Sequence, residues 1–302
     1  MYYSTITEYL EYMFGNFQVE IRKMDSICEL RNVSFEGGNL PDYSNRAQAL
    51  LYCLRYHFGY AFEYDYMYRN HILPEYEGEK INVLSIGCGN GIDYWALRHA
   101  IAEEYSNINQ VNYIGIDCVD WEEVFESVAI DNVVYYHTDV QKSKTILDSI
   151  SHIDVLFFPK SISELRYDDL MLISDHIHSK TKQLCVAASF RRETYNSSED
   201  VAKYDYLIER LESYGFSITR GEKSIQYSST NNSVGVRKLF GEYIYPDTAR
   251  KYITGLYDNC TERIGDRSLC SYSCKETISR SPILSVSQVC YNYIILTNNA
   301  DI

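Results

Sequence analysis

The sequence predicts an α/β fold on a mostly parallel sheet, and three observations carry it. Short apolar runs rich in Val, Ile, Phe and Tyr alternate with amphipathic segments from residue 82 to residue 219. The first run, Val83-Leu84-Ser85-Ile86, ends in Gly87-Cys88-Gly89-Asn90-Gly91 and passes at once into a helical pattern. The next two runs each end in an acid, Asp117 and Asp139. Strands alternating with helices imply a parallel sheet covered on its faces. Ligands of such sheets sit beyond the carboxyl ends of the strands.

Ahead of the sheet, Tyr2 to Tyr12 and Phe17 to Arg31 have weak periodicity, and Glu36 to Asp42 is a loop by composition. Ser44 is placed to cap a long helix whose apolar positions include Ala47, Leu50, Leu54, Phe58 and Phe62. That helix is expected to end near Leu73-Pro74. Strands follow at 82–86, 112–116, 132–136, 153–158, 183–189 and from 216. Helices are expected at 93–105, 121–129, 140–149, 167–178 and 200–214, the last closed by Gly215 as a C-cap. A helix over 243–260 and a closing strand over 286–296 complete the reading. Four sections result: an N-terminal helical cap at 1–80, a core at 81–227, an insertion at 228–285 that would choose the substrate, and a final strand and tail at 286–302.

Composition narrows the function classes. The 28 Lys+Arg against 42 Asp+Glu give a net charge of -14 over 302 residues, which does not favour bulk binding to nucleic acid or an anionic membrane. No apolar run approaches the roughly 18–20 residues of a membrane helix. Met1 to Leu10 carries Glu8 and no basic residue, unlike a secretory signal, so a cytoplasmic protein is expected. The nine cysteines then read as reduced, small apolar residues. Of Cys260, Cys270, Cys274 and Cys290, only Cys270 and Cys274 have metal-site spacing, and no metal is expected. The 30 tyrosines suit half-buried surfaces with one wet end.

The chemistry concentrates at the strand ends. Glycine is needed where backbone turns sharply or approaches a ligand closely. A turn feeding a helix N-terminus also presents free N–H groups and a positive dipole end. The glycines fall as G-x-G-x-G, with Ile92 where the dinucleotide fingerprint G-x-G-x-x-G has its third glycine. Asp117 can accept both hydroxyls of a ribose, and Asp139 can accept from an adenine amino group. The bland alternative is that both acids are turn residues after strands.

These residues together resemble the class I S-adenosylmethionine-dependent methyltransferase superfamily. VLSIGCGNG is similar to its first motif, YIGID to its second and HTDV to its third, although Ser85 stands where many members have an acid. The resemblance implies a Rossmann-like, seven-stranded, mostly parallel sheet with helices on both faces, here with an N-terminal helical extension and a C-terminal insertion before an antiparallel last strand. It implies S-adenosylmethionine as cofactor, held by Gly87, Cys88, Gly89, Asn90, Gly91, Asp117, Cys118, Asp139, Val140 and Phe158. A second likeness, in layout, is to the mitochondrial ribosome-assembly methyltransferase-like family; it implies that Arg46 to Phe62 lies over the cofactor, but the iron–sulfur cysteine patterns of that family are not reproduced.

The expected reaction is in-line methyl transfer, with S-adenosylmethionine and S-adenosylhomocysteine as ligands and an acceptor of unread class. Lys160, Ser161 and Glu164, after the fourth strand, are the candidate catalytic residues; their bland readings are a solvated Lys, a helix cap and a capping carboxylate. The F-F-P-K sequence there lacks the N-P-P-[YF] motif of amino-directed DNA methyltransferases, and no Cys adjoins it for a cytosine-C5 mechanism. Two alternatives stand beside this reading: a cofactor-binding regulatory or assembly module without turnover, and, more remotely, a nicotinamide-dependent oxidoreductase.

Overall fold

The computed structural model describes residues 5–32, 43, 45–121, 132–190, 194–223, 226–229, 244–260, 272–284 and 288–298. The chain divides into two compact units. One comprises Glu63–Ser233 and Ser287–Ile302 with Met1–Tyr2; the other comprises Tyr3–Phe62 and Val234–Val286. The boundary between these units falls inside the long helix, after residue 62.

The first unit holds the sheet. Its strands are β1 (Lys80–Ile86), β2 (Gln110–Asp117), β3 (Asn132–His137), β4 (Val155–Pro159), β5 (Gln183–Ser189), β6 (Phe216–Gly221), β7 (Gln226–Ser229) and β8 (Gln288–Asn298). The order is β3-β2-β1-β4-β5-β8-β6, with β7 paired to β8 off that path. β1 to β5 pair in parallel, and β8 runs antiparallel to β5, β6 and β7. This is the expected Rossmann-like sheet, seven strands along the main path, and the polar segment at 226–229 adds an eighth. Strand order reverses at β1, between β2 and β4, so the glycine turn lies at the switch point where ligands of open parallel sheets bind.

The side chains of the central strands alternate between two covered faces, as a period of two demands. On one face Leu84, Ile86, Leu156 and Phe158 join a core with Leu170, Ile173, Leu207 and Leu211. The helices α4 (Lys144–Ser149), α5 (Tyr167–Ile177) and α6 (Thr194–Ser213) supply that face. On the other, Phe157 packs edge-on to Tyr64 at 5.5 Å and stacks on Tyr68 at 5.3 Å. Tyr113 meets Tyr94 of α3 (Ile92–Glu104) there as well.

The second unit contains α1 (Ile6–Ile21), the first part of α2 (Arg46–Met67), α7 (Asp247–Thr254) and α8 (Tyr272–Ile278). The Asn45 side chain caps α2: its Oδ1 accepts the Ala47 and Gln48 N–H groups at 3.0 and 3.3 Å. Ser44 itself lies outside the described residues. The Arg55 guanidinium is buried and donates to the Thr277 and Ile278 carbonyls, both at 2.6 Å, closing the C-terminus of α8. The Gly59 backbone lies so close to Ile283 that a Cβ would stand 2.8 Å from its side chain, so a larger residue there would force Ile283 to shift.

Several expected bounds shift. α2 ends in a π-turn over Tyr68–Ile72, before Leu73–Glu75 closes it. The helix expected over 140–149 divides into a short 3-10 turn, Val140–Lys142, and α4. The helix expected over 243–260 is confined to Asp247–Thr254. The helix expected over 121–129 lies outside the described residues apart from Trp121.

Candidate functional site

β1 delivers the glycine turn to the carboxyl end of the sheet. Gly87, Gly89 and Gly91 all have left-handed backbone, with φ of 67°, 55° and 78°, a conformation that costs any L side chain about 1–2 kcal/mol. Two of them meet different demands. A Cβ on Gly87 would stand 2.3 Å from the Ser161 Cβ, so the turn and the loop after β4 interlock there. A Cβ on Gly89 would meet no atom within 4 Å. The backbone therefore opens onto free space at Gly89, as a close approach to a ligand requires. Gly91 serves as N-cap of α3, whose first N–H groups follow the turn.

Asp117, at the end of β2, braces the same turn. Its Oδ2 accepts the Gly89 N–H at 2.7 Å and its Oδ1 accepts the Val119 N–H at 2.8 Å. Each oxygen retains a second lone pair for a hydroxyl donor. Burial raises its pKa to about 6, against the pull of the Val119 and Gly89 N–H groups; the Glu164 carboxylate raises it further and His137 lowers it. Cys118 beside it is exposed, and its carbonyl faces His137 Nε2 at 3.1 Å.

Beyond β3, Asp139 is half exposed, and its Oδ1 caps the turn at Gln141 N–H, 2.8 Å away. Val140 behind it is nearly buried. Cys88 and Asn90 are buried within the turn, and the Cys88 thiol fills the space beside Gly115. The Phe158 side chain, expected at the cofactor, is fully buried in the core of α4 to α6.

Two of the three candidate catalytic residues are committed elsewhere. Ser161 is buried and donates its hydroxyl to the Ile86 carbonyl, tying the loop after β4 to the end of β1. Lys160 is almost covered, its Nζ 2.5 Å from Glu63 Oε2 and 3.1 Å from the Phe190 carbonyl. Ser189 Oγ donates to the same Glu63 oxygen at 3.4 Å. Lys160 is also the one non-glycine among the described residues with left-handed backbone, φ 58°. Such strain persists where surrounding contacts enforce it. Glu164 alone of the three is exposed, close enough to Asp117 to raise its pKa.

The sequence reading missed Asp93. It stands in the first turn of α3, where an acid usually faces water, yet it is fully buried. The Tyr113 hydroxyl donates to it at 2.8–2.9 Å. Burial raises its pKa to about 6, against the lowering pull of the nearby Ser85 and Tyr113 hydroxyls. The available signal was Tyr113 itself, a hydroxyl in mid-strand that needs a partner once the strand is buried. Ser85 faces this acid, which accounts for a short hydroxyl at that strand position.

No family model and no curated protein matches the sequence. Solved structures do superpose on the chain. The plantazolicin methyltransferase BpumL, solved with S-adenosylhomocysteine, aligns over 94% of this chain and 99% of its own at 11% identity and a TM-score of 0.44. Haemonchus contortus phosphoethanolamine N-methyltransferase 2, solved with S-adenosyl-L-methionine, aligns over 80% of this chain and 57% of its own at 14% identity and a TM-score of 0.36. Aeropyrum pernix fibrillarin, with natively bound S-adenosyl-L-methionine, aligns over 53% and 70% at 13% identity and a TM-score of 0.37. Superpositions this loose carry no functional weight; the fold rests on strand order and register. No helix among the described residues is long and apolar enough to cross a membrane.

Proposed function

We propose that this chain binds S-adenosylmethionine at the carboxyl end of β1 and transfers its methyl group to an acceptor. One observation carries the reading: three left-handed glycines at the switch point, opening onto free space at Gly89 and braced by a carboxylate from the neighbouring strand. The residues fit the group. The turn leaves room for a ligand against its backbone, Asp117 keeps lone pairs for ribose hydroxyls, and exposed Asp139 can accept from an adenine amino group while Val140 contributes apolar surface. When bound, the cofactor supplies an electrophilic methyl on a sulfonium. The chain's share is positioning, which accounts for much of the acceleration in such displacements.

Lys160 and Ser161 support a reaction without a protein base from this loop, because both are held by structural bonds. Glu164 is the remaining carboxylate for an acceptor that must lose a proton. The same commitment of Lys160 and Ser161 favours a second reading, a cofactor-binding module without turnover. Calorimetry with S-adenosylhomocysteine and with NAD tests the cofactor assignment. Binding of S-adenosylhomocysteine and not NAD is expected, and binding of NAD alone would overturn it. Transfer of labelled methyl to metabolite, peptide or RNA pools separates the enzyme from the module.

A further inference from the structure

Asp169 joins two segments that the sheet keeps apart. It occupies the third position of α5, and its Oδ2 accepts the backbone N–H of Arg166, the residue that caps that helix, at 2.7 Å. That bond is the ordinary duty of an acid in a first helical turn. The other oxygen makes a bond that capping does not require. Oδ1 accepts the Gln141 Nε2–H at 2.6 Å, from the loop after β3, 28 residues away. The strand before α5 is β4, and β3 and β4 are separated in the sheet by β2 and β1. Their ends thus lie three strand spacings apart, each about 4.8 Å. The glycine turn follows β1 and Asp117 ends β2, so Asp169 ties together the segments that flank both.

Gln141 passes this anchorage on to Asp139. Its backbone N–H donates to Asp139 Oδ1 at 2.8 Å. The amide fixed on Asp169 and the N–H that orients Asp139 therefore belong to one residue. The Arg166 guanidinium, bonded to Asp169 Oδ1 at 3.1 Å, lies 3.9 Å from the same Asp139 oxygen. Both contacts fall on Oδ1, and Asp139 Oδ2 has no donor among the described residues. Asp169 is buried, whereas the Asp139 and Arg166 side chains are 51% and 65% exposed. The covered acid is thus the fixed point of the network, and the acid it orients is the one open to a ligand. A loop group held beforehand in its binding geometry avoids the ordering cost that a free one meets on binding.

We propose that Asp169 is a positioning residue for the adenine end of the cofactor: through Gln141 it holds Asp139 with Oδ2 free for the adenine amino group. The inference rests on the S-adenosylmethionine assignment. Its test compares S-adenosylhomocysteine with the analogue carrying purine in place of adenine, which lacks only the amino group. By calorimetry the native protein should bind the analogue about ten- to a hundredfold more weakly, the worth of a hydrogen bond to a charged group. Gln141→Ala, a change at an exposed residue, and Asp169→Asn should each lower S-adenosylhomocysteine affinity about three- to tenfold and leave that of the analogue unchanged. The double variant should lose no more than the worse single one, since both remove the same contact. If Asp169→Asn does not fold, Gln141→Ala decides. Equal losses for the two ligands would reduce Asp169 to a structural cap and overturn the proposal. Unchanged S-adenosylhomocysteine affinity in Gln141→Ala, or equal affinity of the native protein for the two ligands, would overturn it too. Native protein that binds neither ligand would overturn the cofactor assignment and this inference with it.

Discussion

Lys160 Nζ sits 2.5 Å from Glu63 Oε2, and both side chains are more than nine-tenths covered. A helix residue from before the sheet thus neutralises the cation that follows β4. Removing one partner of a buried pair leaves a charge without compensation, which costs about 3–5 kcal/mol. Glu63→Gln should therefore lower stability by that order in chemical denaturation. Replacing both, as Glu63→Leu/Lys160→Met, should recover most of the loss. A single-variant cost below about 1 kcal/mol, the surface-pair scale, would show that the pair is solvent-screened.

The glycine turn offers a contrast between neighbours. Gly87→Ala places a methyl 2.3 Å from Ser161 Cβ, while Gly89→Ala meets nothing. Both incur the left-handed penalty of about 1–2 kcal/mol. Gly87→Ala should cost clearly more in denaturant titration. Gly89→Ala should fold and yet lose S-adenosylhomocysteine affinity in calorimetry, since its methyl occupies the space assigned to the ligand. Full affinity in a folded Gly89→Ala protein would move the cofactor elsewhere.

Ligand binding should depend on pH through Asp117. Its pKa is raised to about 6, so the ionised form that accepts hydroxyls is lost as pH falls through that value. S-adenosylhomocysteine affinity is expected to drop from pH 7.5 to 5 in the native protein and to be lower but flatter in Asp117→Asn. Asp117→Ala should weaken binding by about 1–3 kcal/mol, the scale for a lost charge-assisted hydrogen bond. For folding the sign is opposite. A raised carboxyl pKa contributes stability at low pH that is lost as pH rises through about 6, and the buried Asp93 acts in the same direction.

In the other unit, His57 is buried against the Tyr9 hydroxyl at 3.0 Å, and burial lowers its pKa to about 3. A depressed histidine pKa means stability present above about 6.5 and lost as pH falls toward 3. His57→Gln should make the acid side of the stability profile shallower between those values, measured by denaturant titration at successive pH. An unchanged acid slope would place the loss on other groups.

The sheet was legible because its residues announce it locally: apolar strands, a glycine turn in register, and Gly215 with its φ of 94° at the end of α6. The partner of Lys160 was not legible. Glu63 lies in the interior of a helix whose apolar spacing reads as amphipathic, and nothing nearby marks that carboxylate as buried. The commitment of Ser161, a candidate catalytic residue, was not legible either, because its acceptor, the Ile86 carbonyl, belongs to a strand distant in sequence. The bounds of compact units were hidden for a related reason, since α2 continues through residue 62 without a break in pattern. Asn45 was not singled out as a cap because adjacent polar residues offer equivalent side-chain acceptors in sequence, and only backbone geometry selects between them.

β8 bonds to β5, β6 and β7 at once, and it follows all of them along the chain. During synthesis the hydrogen-bonding edge of β5 therefore emerges long before its partner. Until β8 arrives, Leu184, Val186 and Ala188 belong to an unpaired apolar edge of the kind that templates intermolecular strands. The vulnerable interval of this protein is thus in its biogenesis, and slowing elongation ahead of residue 288 should raise its demand for chaperones more than slowing it anywhere within the first five strands.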